Sequence, residues 1–395
     1  LDVQNTLTDA VTLGGGTLET TSGTGTVSGP VALTSNGIFA TGSGALLTVS
    51  GVISGGASPN ALTVSGPGTV VLSGLNTYTG GTLVSGGTLQ GNVQSLQGSI
   101  TNNASLVFDQ ASNGTFNGTI SGTGTVTKQN TGTLTFDSAQ SYGGGTSVTG
   151  GTLALTGNGS AGTPSGLITV GSGAALDVQN TLANAVTLNG GTLETTTGTG
   201  IVNGQVTLAG SNAFSTGNNA TLTVSGAVVD GTPAGALTVS GTGTVVLTGV
   251  NTYTGSTLVS GGTLRGNTQS LQGGITNNAA LVFDQASSGT FNGTISGTGT
   301  VTKQNNGTLT FDTAQGYSGG TTISGGTLAL TGNGTAGTQS GLITVGSGAA
   351  LDVQNTVANA VTLNGGTLET TTGAGIVNGQ VTLNGSNIFS TGNHA

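Results

Sequence analysis

Short apolar segments recur every few residues along the chain, each about the length of a short β-strand. Examples are "VTL", "GTLTF", "LTVSG" and "LVFDQ", and Thr and Ser fill most positions between the apolar ones. Segments of this kind, rich in Val, Ile and Thr, are typical of strands. Glycine pairs separate many of them and supply the positive φ that a sharp corner needs. The pattern predicts an all-β chain of very short strands.

The corners indicate how these strands are arranged. In "VSGGTL" and "VTGGTL", apolar residues stand on both sides of a Gly-Gly corner, whereas hairpin loops favour Asn-Gly or Asp-Gly. Such corners suit a chain that bends around a narrow apolar interior. We therefore expect a parallel β-solenoid that is continuous along the chain, with neighbouring coils about 4.8 Å apart. The alternative is a string of small β-sandwich domains, but no polar linker divides the chain.

The register of the strands predicts which side chains face the interior. Strand faces alternate, so an error of one residue would turn all of them outward. The residues predicted to point inward are Val70, Leu72, Val84, Leu89, Leu134, Phe136, Val148 and Leu153.

A long repeat organises the sequence, which divides into solenoid units at 1–175, 176–350 and the start of a third at 351–395. Each unit is expected to form about seven to nine coils of roughly 20–25 residues. Because the chain begins inside a repeat, we expect it to be part of a longer protein. The segments 51–60 and 226–235 carry Pro and Gly and differ between copies, which predicts a loop outside the solenoid.

A shorter motif appears twice in each unit. The stretch "GTVVLSGLNTYTGGTLVSGGTL" at 68–89 aligns with "GTLTFDSAQSYGGGTSVTGGTL" at 132–153. Its tyrosines could plug coil corners or form a stripe that binds sugars. Asparagine at a corner commonly bonds its own backbone, which favours a structural role. The motif residues assigned such a role are Asn76, Tyr78, Gly86, Gly87, Tyr142, Gly150, Gly151, Asn251, Tyr253, Gly261, Gly262 and Tyr317.

Composition excludes several classes of function. Of 395 residues, 79 are Gly, three are Lys or Arg, 12 are Asp or Glu, and none is Cys. A net charge of −9 leaves no basic patch for nucleic acid. The absence of cysteine rules out disulfides and thiolate metal sites. Apolar runs fall far short of the roughly 20 residues that span a bilayer, so we expect no membrane insertion of this region.

Few residues could carry catalysis. The only histidine is His394, and Asn219 and Gly44 occupy its place in the other copies. The candidate carboxylates of a polysaccharide-cleaving site are Asp109, Asp137 and Glu19, with their copies Asp284, Asp312 and Glu194. Their placement at strand ends fits solvated positions at least as well. Arg265 replaces Gln90, so no arginine recurs. We predict no catalytic residue, no cofactor and no metal site.

The stretch "GTVVLSGLNTYTGGTLVSGGTLQGN" resembles the autotransporter-associated β-strand repeat of bacterial autotransporter passenger domains. The resemblance rests on G-T-V/L, N-T-Y-x-G and the closing G-G-T-L. It is clearest at 68–92 and 243–267, and weaker where Gln140 and Gln315 replace the usual Asn. It implies a right-handed parallel β-helix that is exported through the outer membrane by a C-terminal β-barrel translocator.

Three functions are compatible with these observations. The first is a rigid, non-enzymatic stalk or scaffold of an adhesin, extracellular and either attached to the bacterial surface or secreted. Its partner beyond the translocator would be a host or abiotic surface. The second is a self-associating filament or biofilm matrix protein, because an uncapped coil end is an open β-edge. The third is a polysaccharide-degrading β-helix, for which the sequence supplies little chemistry.

Overall fold

The computed structural model of the chain describes residues 1–392. The described residues form two compact units, divided between Leu193 and Glu194. Every regular element in the described part is a β-strand, and most contain three to five residues. Strands this short form because one or two inward apolar side chains are followed at once by a glycine or asparagine corner.

The strands up to the boundary between the units are β1 (Thr6–Leu7), β2 (Val11–Leu13), β3 (Thr17–Thr20), β4 (Thr24–Val27), β5 (Val31–Leu33), β6 (Gly37–Thr41), β7 (Leu46–Val49), β8 (Ile53–Ser54), β9 (Leu62–Ser65), β10 (Thr69–Leu72), β11 (Thr82–Val84), β12 (Thr88–Gly91), β13 (Ile100–Asn102), β14 (Ser105–Asp109), β15 (Gly114–Phe116), β16 (Ile120–Ser121), β17 (Thr125–Gln129), β18 (Thr133–Phe136), β19 (Thr146–Val148), β20 (Gly151–Leu155), β21 (Ile168–Gly171), β22 (Ala174–Val178), β23 (Thr181–Leu182), β24 (Val186–Asn189) and β25 (Thr192–Thr195).

The strands after it are β26 (Thr199–Val202), β27 (Val206–Ala209), β28 (Ser211–Thr216), β29 (Thr221–Val224), β30 (Val228–Asp230), β31 (Ala236–Gly241), β32 (Thr244–Leu247), β33 (Thr257–Val259), β34 (Thr263–Gly266), β35 (Ile275–Asn277), β36 (Ala280–Asp284), β37 (Gly289–Thr290), β38 (Ile295–Ser296), β39 (Thr300–Gln304), β40 (Thr308–Phe311), β41 (Thr321–Ile323), β42 (Gly326–Leu330), β43 (Ile343–Val345), β44 (Ala349–Val353), β45 (Thr356–Val357), β46 (Val361–Asn364), β47 (Thr367–Thr370), β48 (Ile376–Val377), β49 (Val381–Asn384) and β50 (Ile388–Thr391).

In the first unit, each coil has three strand positions, which lie on three faces. The first face is the sheet β1-β4-β7-β10-β12-β14-β17-β19-β21-β24. The second face follows it in each coil and contains β2-β5-β8 and β15-β18-β20-β22. The third face contains β3-β6-β9-β11-β13-β16. Where a face has no strand, the chain crosses it as an irregular segment.

The second unit is built in the same way. Its longest sheet runs β26-β29-β32-β34-β36-β39-β41-β43-β46-β49. A second sheet contains β28-β31-β33-β35-β38, and a third contains β37-β40-β42-β44-β47-β50. Shorter pairs, β27-β30 and β45-β48, complete further strand positions.

Strand pairing within each unit is parallel and joins residues one coil apart. The length of a coil varies, since Thr88 pairs with Ser105 in a short coil and Gly37 pairs with Leu62 in a long one. The described residues contain no helix, and none of their segments meets the length and hydropathy of a membrane-spanning helix. The prediction of an all-β parallel solenoid is therefore confirmed.

The core of each unit is a narrow apolar channel. All eight side chains predicted to point inward are buried, with at most 1% of their surface exposed, so the predicted register is confirmed. In the first unit Phe108, Phe116 and Phe136 pack edge to face, with ring centroids 5.2–6.2 Å apart. One aromatic from each of three neighbouring strands is enough to fill the channel, which explains why the chain needs so few aromatic residues.

The prediction that 51–60 and 226–235 lie wholly outside the solenoid is wrong in part. Both segments begin on the ladder, because β8 pairs with β5 and β30 pairs with β27. Only the residues after these strands leave the regular pairing. An apolar residue at each start, Ile53 or Val228, is fully buried in the channel, and its burial holds the strand in place despite the glycines around it.

Candidate functional site: the repeated corner motif

An asparagine of the motif joins three successive coils where the second face has no strand. Asn76 is buried, and its Oδ1 accepts a hydrogen bond of 2.9 Å from the Ile53 backbone N–H, one coil before it. Its Nδ2 donates to the Ser95 carbonyl at 2.7 Å, one coil after it. The amide thus replaces two backbone hydrogen bonds that a strand would have made.

The other motif copies bond the preceding coil in the same way. Asn251 accepts a hydrogen bond from Val228 N–H at 2.8 Å and donates to the Ser270 carbonyl at 2.7 Å. In the copies where the family resemblance is weaker, the longer Gln140 accepts from Ile120 N–H at 2.6 Å. Its copy Gln315 repeats that contact. Glutamine in place of asparagine therefore keeps the hydrogen bond to the backbone of the preceding coil.

Replacing Asn76 with alanine should open this corner. The change leaves the Ile53 N–H and the Ser95 carbonyl buried without partners, which costs about 1–3 kcal/mol for each group. We expect amide hydrogen exchange at Ile53 to accelerate at least tenfold. The control is Thr77→Ala, because Thr77 is exposed beside the same corner. Unchanged exchange at Ile53 in Asn76→Ala would contradict the role of the amide.

The four motif tyrosines are buried rather than displayed on the surface. Tyr78, Tyr142, Tyr253 and Tyr317 are at most 2% exposed. Each hydroxyl shares a hydrogen bond with the threonine four residues later, at 2.6–2.9 Å. Such rings cannot stack on a sugar, so this arrangement favours corner plugs over a binding stripe.

Each glycine pair of the motif contains two different positions. Gly87, Gly151 and Gly262 have φ between 60° and 64°, whereas their predecessors Gly86, Gly150 and Gly261 do not lie in that region. A Cβ at Gly87 would lie 2.3 Å from the Gly68 carbonyl oxygen, compared with 3.2 Å to the nearest atom at Gly86. At the third pair the space is tight at both positions, since a Cβ at Gly261 would lie 2.6 Å from the Gly241 carbonyl oxygen. The left-handed φ therefore distinguishes the second glycine in all three pairs, which the sequence alone did not.

A buried lysine side chain contacts the corner that contains Gly150. The Lys128 side chain points into the channel and is 0% exposed. Its Nζ donates to the carbonyls of Gln129 at 3.0 Å, Asn130 at 2.7 Å and Gly150 at 2.8 Å. Lys303 repeats the arrangement. Burial lowers the pKa of both lysines to about 8, while the Asp109 and Asp284 carboxylates act in the opposite direction. Sequence analysis missed these residues.

These buried groups predict a maximum of stability in mildly alkaline solution. The lysine pKa is lower in the folded chain than its unfolded value of about 10.4, so stability should rise between about pH 8 and 10. Burial raises the pKa of Tyr78 to about 12 and raises the pKa of the other motif tyrosines too. Their unfolded value is about 10, so stability should fall as pH rises above it.

Chemical denaturation at pH 7, 9.5 and 11.5, followed by circular dichroism, measures this profile. Tyrosinate absorbance should appear only together with unfolding, and the chain contains no Trp to obscure it. Replacing both buried lysines with methionine should abolish the rise and preserve the fall. Ionisation of the tyrosines near pH 10 in a chain that stays folded would contradict their burial.

The candidate carboxylates of the first unit lie on different faces. Asp109 ends β14 on the first face, Asp137 follows β18 on the second, and Glu19 lies in β3 on the third. Separate faces do not bring two carboxylates together across a glycosidic bond. In the second unit, Asp284 ends β36 and Asp312 follows β40, again in different sheets. Glu194 lies in β25.

The carboxylate of Asp109 accepts hydrogen bonds from side chains of the two neighbouring coils. Gln90 Nε2 donates to it at 3.0 Å, and Asn130 Nδ2 at 3.2 Å. In the second unit, Arg265 Nε lies 3.9 Å from Asp284 Oδ2, and both side chains are more than a third exposed. An exposed pair at this distance contributes at most about 1 kcal/mol. These contacts link neighbouring coils.

Shallow hollows occur at equivalent places in the two units. One has a volume of about 210 Å³ and lies over Gly145, between Thr125 and Leu167. The other, about 150 Å³, lies over Gly320. Each hollow forms where a glycine, which has no side chain, lies in a row of outward-facing residues on neighbouring coils. Neither hollow is lined by a charged group. The hollows offer hydroxyl and backbone groups without acid–base chemistry.

Within residues 1–392, no group of three or more His, Asp or Glu side chains is placed to hold a metal ion. His394 lies outside the described residues. The described residues therefore form corners, parallel ladders and a narrow apolar channel.

Comparison with known proteins agrees with this arrangement. Residues 62–90, 126–155, 237–265 and 301–330 match the passenger-associated-transport-repeat family. A 220-residue stretch, 55% of the chain, is 32% identical to the "Adhesin BmaC autotransporter" of Brucella suis biovar 1 (strain 1330) and spans 6% of that protein. No solved structure matches the chain. Four segments of the chain thus match passenger-associated-transport repeats, which confirms the predicted resemblance to autotransporter passenger repeats.

Proposed function

We propose that this region is a rigid, non-enzymatic spacer within the extracellular part of an autotransporter adhesin. The observation that carries the proposal is the stacking within each unit. Every coil bonds to the coils before and after it through parallel ladders, and buried Asn, Gln and Lys side chains continue those bonds where the ladder stops. A stack of this kind gains length by repetition and needs no new chemistry.

The low charge and the abundance of Thr, Ser and Asn suit a passive outer surface. Outward positions carry hydroxyls and amides that water can solvate, and the candidate carboxylates are spread over separate faces. Catalysis requires reactive groups held together with their pKa values pushed apart, and the candidate carboxylates Asp109, Asp137 and Glu19 lie on three separate faces. This supports a role in shape and reach.

The passenger repeats imply a translocator domain elsewhere in the polypeptide and display outside the cell. A stalk there would hold an adhesive segment away from the cell envelope. We propose a host or abiotic surface as the eventual contact of such a segment.

Single-molecule pulling on the full chain tests the spacer role. If each coil depends only on its neighbours, the chain should unfold from its ends in a series of force peaks rather than in one event. A corner variant, Gly87→Ala, should lower the force at part of the trace and leave the remaining peaks unchanged. A chain that extends without force peaks would contradict a rigid spacer, and one all-or-none peak would contradict nearest-neighbour stacking.

The non-enzymatic part of the proposal has its own test. The full chain should leave a panel of acidic and neutral polysaccharides uncleaved. Cleavage that disappears in Asp109→Asn or Asp137→Asn, in a chain that remains folded, would overturn it.

A further inference from the structure

The hollow over Gly145 lies beside a row of hydroxyl groups on the first face. Strand pairing places Thr127, Ser147, Thr169 and Thr187 side by side on four successive coils. Their side chains alternate with the buried ones along each strand, point outward and are only partly buried. Among the described residues, no protein group forms a hydrogen bond with any of these four hydroxyls. The row therefore offers one unused hydroxyl on each coil.

The second unit repeats this row beside the hollow over Gly320. Strand pairing stacks Thr302, Thr322, Thr344 and Thr362 in the same way. Thr322 is the copy of Ser147, so the hydroxyl is kept where the residue differs. In the coil before each row, Val107 or Val282 occupies the same outward position. Both rows therefore begin at the coil where the hollow begins.

An exposed leucine forms one wall of each hollow. The Leu167 side chain is 48% exposed and the Leu342 side chain is 47% exposed. Each lies across the central glycine from a threonine, and no charged group lines either hollow. A hydroxyl both donates and accepts hydrogen bonds. A ligand that fits has an apolar face, hydroxyl groups along its edges and no charge, and a neutral sugar ring has all three.

We propose that each hollow binds one ring of a neutral, straight-chain polysaccharide of the β-1,4-linked type, whose next rings follow the hydroxyl row along the solenoid. Neighbouring coils are about 4.8 Å apart. A ring in an extended β-1,4-linked chain advances by nearly the same distance, so each ring meets the hydroxyl of one coil. The apolar ring face packs on the leucine wall, and the ring hydroxyls bond the row.

The geometry and charge of the site select against other polysaccharides. An α-1,4-linked chain coils, so it leaves a straight row of hydroxyls after one or two rings. An anionic chain finds no basic residue in the hollow and meets a protein of net charge −9. This inference goes beyond a spacer, which needs no ligand, and the spacer role does not depend on it.

Titration of the full chain with cellohexaose, followed by amide shifts in nuclear magnetic resonance, tests the proposal. The open hollow and its few hydrogen bonds predict a dissociation constant of about 0.1–1 mM. Amide shifts should move at Ser147 and Thr169 in the first unit and at Thr322 and Thr344 in the second. Maltohexaose contains the same sugar in α-1,4 linkage and should bind at least tenfold more weakly.

Three outcomes of this titration would overturn the proposal. They are the absence of shifts with cellohexaose, shifts confined to other parts of the chain, and equal affinity for the two hexasaccharides. Loss of binding would leave the force peaks expected of a spacer unchanged, so the failure of one proposal is distinguishable from the failure of the other.

Substitutions in one unit use the other unit as an internal control. Leu167→Thr removes one apolar wall and should abolish the shift at Ser147 while the shift at Thr322 persists. Thr169→Val keeps the side-chain shape, removes one hydroxyl and should weaken binding in the first unit about threefold to tenfold. Leu75→Thr changes a 62% exposed leucine outside the hollows and should have no effect. Unchanged binding at Ser147 in a folded Leu167→Thr chain would contradict the proposed site.

Discussion

Replacing Gly87 with alanine is expected to break its corner, at a local cost of about 3 kcal/mol or more. The φ of 64° is unfavourable for alanine, and the new Cβ would lie 2.3 Å and 2.4 Å from the Gly68 and Gly66 carbonyl oxygens. Both obstacles are backbone atoms, so a side-chain rotation cannot relieve them. Hydrogen exchange of Thr88, whose N–H bonds the Gly68 carbonyl, should accelerate about a hundredfold.

The preceding glycine is the matched control. At Gly86 the nearest atom to a Cβ is 3.2 Å away and φ is not in the left-handed region, so Gly86→Ala should change exchange by less than about tenfold. The same contrast is expected between Gly151→Ala and Gly150→Ala. Equal effects at the two members of a pair would show that the corner does not depend on the left-handed residue.

Replacing Lys128 with methionine is the second change expected to have a large effect. Methionine preserves most of the side-chain volume and removes only the ammonium. The carbonyls of Gln129, Asn130 and Gly150 then lose the Nζ donor, although the Gln129 carbonyl still accepts from the Gln110 N–H. We expect a net loss of about 1–3 kcal/mol, because the lost hydrogen bonds are partly offset by a charge that no longer has to be buried. It should be seen as a lower midpoint of denaturation and faster exchange at Thr152 beyond the corner.

Two further substitutions isolate the cause. Lys303→Met should reproduce the effect, because its three contacts are the same. Thr127→Val changes the neighbouring outward residue and should alter stability by less than about 0.5 kcal/mol. If Lys128→Met stabilised the chain, the buried charge would cost more than its three hydrogen bonds contribute.

The solenoid and its register could be predicted because the inward positions are nearly all apolar. Val70 and Leu72 alternate with outward residues, and a glycine corner follows soon after, so one face is fixed over each short strand. The parallel stacking follows from the repeated corners, since a chain that turns in the same sense at each corner returns above its own previous strand.

Other features could not be predicted, for identifiable reasons. A lysine is normally an exposed residue, and Lys128 is buried only because three corner carbonyls converge on its Nζ. The single available signal was its alternation with Val126 in "TVTKQ". The face on which each strand lies was hidden as well, because coils vary in length and no fixed period reveals the face.

The glycine content also misled the prediction for 51–60. Glycine and proline there suggested a loop, but the loop begins only after Ile53 has entered the channel. Tertiary burial of one side chain outweighed the local preference of its neighbours. The local preferences of glycine and proline therefore predicted the corners well and the ends of the strands poorly.

Deletion of residues 176–350 tests the central claim most directly. The deletion joins Ala175 to Leu351 and recreates the sequence "AALDVQNT" found at both natural junctions. If each coil depends only on its neighbours, hydrogen exchange in residues 1–150 should be unchanged. Loss of protection throughout those residues would contradict the account.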